Sequence, residues 1–163
     1  MEIMNLQNVE YKNVGQNSLN SLSPYIGKMR PDLAKYLIEQ YAQQHGIIYD
    51  PYAGSGTVLL EGWELGHDVV GNDLNYYAYV LSLGKLYPYK TLDEAVSVLL
   101  KYKKLAEKKA LIQDVEAVPD WVKAFYDIET LKEICSWVYY LKRNKEWFIL
   151  SCLMGILHHQ RPG

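Results

Sequence analysis

Cysteine is scarce in this 163-residue sequence. Cys135 and Cys152 are its two thiols, and their spacing makes neither a disulfide framework nor a metal-ligand set. Both read as core packing on helices, which fits a reducing, cytoplasmic compartment, and no metal is expected. The opening residues Met1-Glu2-Ile3-Met4 lack a basic segment followed by an apolar run, and later apolar stretches are broken by charged and polar residues. Neither an export signal nor a membrane span is therefore expected. A surplus of either charge is also missing. The formal net charge is −2, and the lysine-rich stretch Lys101 to Lys109 contains Glu107, so any grip on a polyanion is local or lies elsewhere. What is present is ordinary: 49% hydrophobic and 22% charged residues, the composition of one globular domain with a real core.

Residues Met1 to Ser23 are rich in Asn, Ser and Gln and read as an extended lead-in. Pro31 suits a first helical position, and Leu33, Tyr36, Leu37 and Tyr41 recur at helical spacing until Gly46, a natural stop. Gly46 to Asp50 is short and β-branched, so a buried strand is expected there, followed by a tight turn through Pro51 to Gly56. Thr57 to Leu65 reads as a helix closed by Gly66, and Asp68 to Asp73 as a second strand. Strand, glycine loop, helix and strand make one βαβ unit. A helix over Asn75 to Leu86 follows, and the Thr91-x-x-Glu94 capping box opens a long helix toward Ile112. Beyond the break at Pro119, helices are expected over Glu129 to Arg143 and Lys145 to His159, with no strand after Thr91. Residues 1–90 thus form a βαβ region with its lead-in, and 91–163 a helical region of the same domain or an insertion.

The chemistry concentrates in Asp50-Pro51-Tyr52-Ala53-Gly54-Ser55-Gly56-Thr57 at the strand-to-helix turn, with Asp73 at the end of the next strand. Glycines let backbone approach a ligand, a helix start offers unpaired N–H groups, and a carboxylate accepts hydrogen bonds from both ribose hydroxyls. The third glycine of a dinucleotide fingerprint is Leu59 here, and no Lys-Ser or Lys-Thr completes a phosphate-binding loop. Pyrophosphate and triphosphate ligands lose ground. S-adenosylmethionine has a ribose and adenine but no phosphate, and its positive sulfonium and amino groups suit a strand ending in Asp50. The plain alternative is a Gly-Ser-Gly turn that only packs tightly.

Here a family resemblance begins. Asp50 to Thr57 resembles the D-P-F-x-G-S-G-T cofactor motif of DNA methyltransferases acting on the exocyclic amino groups of adenine (N6) or cytosine (N4), with Tyr52 in the aromatic place. Ser23-Pro24-Tyr25-Ile26-Gly27-Lys28 followed by Pro31 resembles the H-P-Y-x-A-K-x-x-P segment that precedes this motif in some of them. Gly71-Asn72-Asp73-Leu74-Asn75 resembles their G-x-D-x-N. The fold this implies is α/β, a partial Rossmann-like S-adenosylmethionine-dependent methyltransferase fold with an added helical region. The cofactor contacts it implies come from Tyr25, Lys28, Asp50, Pro51, Tyr52, Ala53, Gly54, Ser55, Gly56, Thr57 and Asp73. Ser23 stands where the family has histidine.

The family's catalytic signature, Asp, Asn or Ser before Pro-Pro and an aromatic residue, holds the target amino group and stacks the flipped base. No Pro-Pro pair occurs in this sequence, so no catalytic residue is assigned. The resemblance then implies the N-terminal part of a restriction-modification or phage enzyme whose catalytic motif comes from another chain or is lost by truncation. A non-catalytic cofactor-binding or assembly module, and a fragment of an RNA or protein methyltransferase, are the competing readings. An uncovered strand edge at Ile47-Ile48-Tyr49 points to a C-terminal partner or a homodimer unless the later helices cover it. His158 and His159 beside Arg161 read as helix-end cations, and Tyr76, Tyr77 and Tyr79 as core.

Overall fold

Among the described residues the first regular element is a 3-10 helix at Ser18–Ser21, where the sequence promised an extended lead-in. The computed structural model describes residues 18–159. Polarity misled the reading, because Asn20 is only 2% exposed and its side-chain amide donates to the Glu61 carboxylate at 3.0 Å. A buried polar side chain with a buried partner is as much a core residue as a leucine. The lead-in before Ser18 lies outside the described residues. So does Arg161, and α7, given below, ends at His159 without a described His158 or His159 side chain.

The described residues divide into two units, 18–21 with 25–82, and 22–24 with 83–159. In the first, α1 (Pro31–Tyr41) starts on a proline whose missing N–H costs nothing at that position, and it buries Pro31, Ala34 and Ile38. It ends short of Gly46. Ala42 turns extended at ψ 140°, and a turn with the Gly46 N–H on the Gln43 carbonyl at 3.1 Å delivers the chain to β1 (Ile47–Asp50). Strand β1 pairs in parallel with β2 (Asp68–Gly71), Ile47 opposite Asp68 and Asp50 opposite Gly71. Between them runs α2 (Thr57–Glu64). Gly62 lets this helix press on the sheet, since a methyl there would meet Ile48 and Val69 at 3.2 Å.

The sheet is small, mixed with helices, and covered on one face. Strand side chains alternate between faces, so Ile48 and Val69 lie under α2 while Ile47, Tyr49 and Val70 stay 69%, 63% and 50% exposed. The expected strand is there but is not buried: Ile48 and Asp50 are half-buried, and Ile47 and Tyr49 are exposed. Among the described residues β1 pairs with β2 alone, which leaves its other edge without a strand. Helix α3 (Tyr76–Leu86) follows, and the boundary between the units falls within it. Tyr77 is half-buried, but Tyr76 and Tyr79 are 48% and 45% exposed and stack on each other, so they are not the core residues that the tyrosine-rich run suggested.

The second unit is helical among its described residues. Its further helices are α4 (Leu92–Ala110), a single turn α5 (Asp120–Lys123), α6 (Ile128–Arg143) and α7 (Trp147–His159). The capping box forms: Thr91 Oγ1 accepts the Glu94 N–H at 3.2 Å, and the Glu94 carboxylate accepts the Lys90 N–H at 3.1 Å. Helices α4 and α6 pack along each other and bury Tyr102, Ala106, Leu131 and Leu141. Cys135 and Cys152 are unpaired and half-buried on α6 and α7, where burial pushes both thiols up. No helix among the described residues is long and apolar enough to cross a membrane.

A polar cluster inside this unit gives a pH dependence. Tyr89 and Tyr102 both donate to the Glu146 carboxylate, at 2.5 and 3.1 Å. Burial first, then the hydrogen bond to Glu146 and its charge, push the Tyr102 phenol up to about 12, and the same causes raise Tyr89. A phenol whose folded pKa lies above the unfolded value stabilises the fold fully below about pH 10, and this is lost as pH rises through the folded value. The stability of wild type minus that of Tyr102→Phe, from urea denaturation, is thus expected to hold steady to about pH 10 and to shrink above it. A difference that stays constant to about pH 12 would contradict the assignment.

Candidate functional site

Both parallel strands end at one loop. At the end of β1, Asp50 Oδ1 accepts the Tyr52 N–H at 3.0 Å, a turn in which the carboxylate replaces a backbone carbonyl. The next residue, Ala53, is buried and donates its N–H to the Asn72 carbonyl at 2.9 Å, which ties the loop to the chain leaving β2. Asp73 completes the tie. Its Oδ2 accepts the Gly54 N–H at 2.8 Å and its Oδ1 the Asn75 N–H at 2.8 Å. One carboxylate thus braces the glycine loop and the turn into α3, while the Asn75 side chain caps that helix by accepting the Tyr77 N–H at 3.0 Å.

The glycines prove to be needed by the protein itself. Gly54 and Gly56 have φ of 51° and 72°, left-handed values that disfavour a side chain. A methyl on Gly56 would meet Ser82 Oγ, Cα and Cβ at 2.7 to 2.9 Å, and one on Gly54 would meet the Tyr25 ring at 3.3 Å. Ser82 also donates from its hydroxyl to the Gly54 carbonyl at 3.2 Å, so α3 holds the loop from behind. Ser55 and Thr57, both buried, set their hydroxyls 3.4 Å apart at the start of α2. That helix begins at Gly56 with no side-chain cap, which leaves its first N–H groups available.

The sequence-derived residues fall into three groups. Tyr25, Gly54 and Asp73 converge, while Asp50 holds the turn at Tyr52: the Tyr25 ring stacks on Tyr77 with centroids 6.0 Å apart, and burial, then the Asp73 charge, raise its phenol. Ala53, Ser55, Gly56 and Thr57 are buried in the loop, while Pro51 and Tyr52 are exposed, Tyr52 to 86%. Lys28 stands apart, its ammonium donating to the Asn20 carbonyl at 3.0 Å, and no described bond joins it to the loop. The sequence gives no site role to Asn72, Asn75, Tyr77 or Ser82, although Asn72 and Asn75 lie within the segment that resembles G-x-D-x-N. Asn75 carried a signal, as a capping residue before a helical pattern; Ser82, one small residue on an apolar helix, carried none. No group of three or more His, Cys, Asp or Glu able to hold a metal occurs among the described residues.

Residues 3–83 match the sequence model of a family described as DNA methylase. Over this stretch, just under half of its length, the chain is similar to that family. The DNA methylase match ends one residue past the boundary between the two units. The chain is also similar to the type II methyltransferase M.MjaII of Methanocaldococcus jannaschii, 29% identical over 133 residues, which are 82% of this chain and 22% of that protein. It is 39% identical over 80 residues to M.MvaI of Kocuria varians, 46% of this chain and 18% of that one. With M.HindIII of Haemophilus influenzae it shares 36% over 55 residues, 34% of this chain and 18% of the relative. The matched stretches thus span 18 to 22% of the length of these methyltransferases. No solved structure gives a significant match.

Proposed function

We propose that this chain binds S-adenosylmethionine at the carboxyl ends of β1 and β2, as the N-terminal part of a Rossmann-like, site-specific DNA methyltransferase acting on an amino group of adenine or cytosine. The observation that carries this reading is the Asp73 carboxylate held on the Gly54 N–H, which fixes an acid and an open glycine loop beside each other where α/β sheets bind ligands.

The donor set fits the cofactor. A carboxylate has about four acceptor sites, so Asp73, with each oxygen engaged by one N–H, keeps capacity for ribose hydroxyls. Asp50 adds negative charge suited to an amino or sulfonium group, and the uncapped start of α2 suits the amino-acid carboxylate. Leu74, wholly exposed beside Asp73, offers apolar surface to a flat purine. When bound, the cofactor supplies a methyl group on positively charged sulfur, ready for a nucleophilic amine. The chain's residues bind and orient it; none of them is positioned by a Pro-Pro-aromatic motif to hold the amine.

The rest of the catalytic apparatus is proposed to come from a further polypeptide. The open β1 edge and the exposed Ile47, Tyr49 and Val70 face support this, since a two-stranded sheet bare on one face is not self-sufficient. The greater length of the related methyltransferases supports it too. A second copy of the chain on that edge is the competing occupant. Tritiated cofactor and mixed-sequence duplex DNA test the function. The 163-residue chain alone is expected to incorporate no label, and the chain with a polypeptide bearing the Pro-Pro-aromatic motif to label adenine N6 or cytosine N4. Label transferred to DNA by the chain alone would place the catalytic group among these residues and contradict the division of labour. No transfer with the completing polypeptide would favour a non-catalytic module.

A further inference from the structure

The near-neutral total charge hides a division. Residues 1–82 carry four Lys and Arg against nine Asp and Glu, whereas residues 83–163 carry thirteen against ten. Leu22–Pro24 are uncharged, so residues 1–21 with 25–82 have a formal charge of −5 and residues 22–24 with 83–163 one of +3. Part of the second unit's surplus is already neutralised. Lys103 pairs with Glu107, Lys123 with Asp120, and Lys132 with Glu129.

Two cations are arranged differently. Lys109, in the last turn of α4, places Nζ 4.3 Å from the centre of the Tyr139 ring. Arg143, the last residue of α6, donates from Nη1 to the Tyr139 hydroxyl at 3.4 Å. Tyr139 is 44% exposed, with the Tyr140 ring set edge-on at 5.2 Å, and no carboxylate pairs with Lys109 or Arg143 among the described residues. Cations at helix C-termini are favoured by the helix dipole alone. That does not explain why cations from two helices converge on one exposed phenol, where a ring face offsets only a fraction of a charge. An anion meeting two cations and a hydroxyl would complete the arrangement.

We propose that Lys109, Tyr139 and Arg143 form a contact for the phosphate backbone of duplex DNA. The choice of DNA over other polyanions rests on the reading of the chain as part of a DNA methyltransferase. Phosphate contacts position a duplex without reading its sequence, so binding here is sequence-independent and falls with salt. The surface lies beyond residues 3–83, and thus outside the stretch that matches the family.

The test is fluorescence anisotropy of a labelled mixed-sequence duplex titrated with the full chain, without cofactor, over a series of salt concentrations. Wild type is expected to bind, with an affinity falling steeply as salt rises. The Lys109→Gln/Arg143→Gln variant is expected to bind roughly tenfold more weakly at low salt, with the log–log salt slope reduced by about 1 for each contact removed. Lys103→Gln/Lys123→Gln, which removes as much charge from paired positions, is expected to change the slope little. No salt-dependent binding by wild type would overturn the proposal. So would equal losses in the two double variants, or tighter binding to single-stranded RNA of equal charge. Because no cofactor is present, failure here leaves the cofactor reading standing, and an Asp73→Ala variant that still binds duplex separates the two.

Discussion

Gly56→Ala is expected to cost roughly 2–5 kcal/mol of stability, the sum of left-handed strain and overpacking. The backbone there sits at φ 72°, and the new methyl would lie within 3 Å of Ser82 Cα as well as of its side chain. A rotamer change cannot move Cα, so trimming Ser82 to alanine is not expected to restore the loss. Gly54→Ala is expected to cost less, since its neighbour is the edge of the Tyr25 ring at 3.3 Å and strain is the larger share. Urea denaturation of both variants gives the comparison. A Gly56→Ala protein within about 0.5 kcal/mol of wild type would show that α3 yields and that the loop is not clamped as described.

Asp73→Ala is expected to weaken S-adenosylmethionine binding by roughly 10- to 150-fold, the equivalent of the 1.5–3 kcal/mol carried by hydrogen bonds to a charged group. It also removes the acceptor for the Gly54 and Asn75 N–H groups. Asp73→Asn separates the two roles, because an amide keeps one acceptor oxygen for the loop but has no charge. Its affinity is expected to fall between those of wild type and Asp73→Ala. Calorimetric titration of the variants, with folding checked by circular dichroism, decides it. Equal affinity in wild type and Asp73→Ala would remove Asp73 from the site.

The elements legible in the sequence are those whose signals are local. Gly66 and Thr91 delimit helices by their own backbone and side-chain chemistry, and α2 and α4 begin and end within a few residues of where these signals put them. The glycine loop was visible for the same reason, and so was Asp73 beyond the second strand. Long-range partners were not visible. Asn20 is buried because Glu61 receives it, and Ser82 matters because it stands behind Gly56. The end of α1 was misplaced because Tyr41 fits the helical period yet is 68% exposed, so no packing rewards another turn. The segment that Lys28 shares with Tyr25 suggests a common site, but Tyr25 lies on Gly54 while Lys28 bonds to Asn20.

The most direct test of the proposed cofactor site is a titration of S-adenosylmethionine into the wild-type chain, followed by isothermal calorimetry under conditions where circular dichroism shows the helices intact. One saturable site per chain is expected, shared with the demethylated product S-adenosylhomocysteine, which should compete for it. A folded chain that takes up neither compound would contradict the claim that the loop from Asp50 to Thr57, braced by Asp73, is a cofactor site, and would leave it as a tightly packed turn.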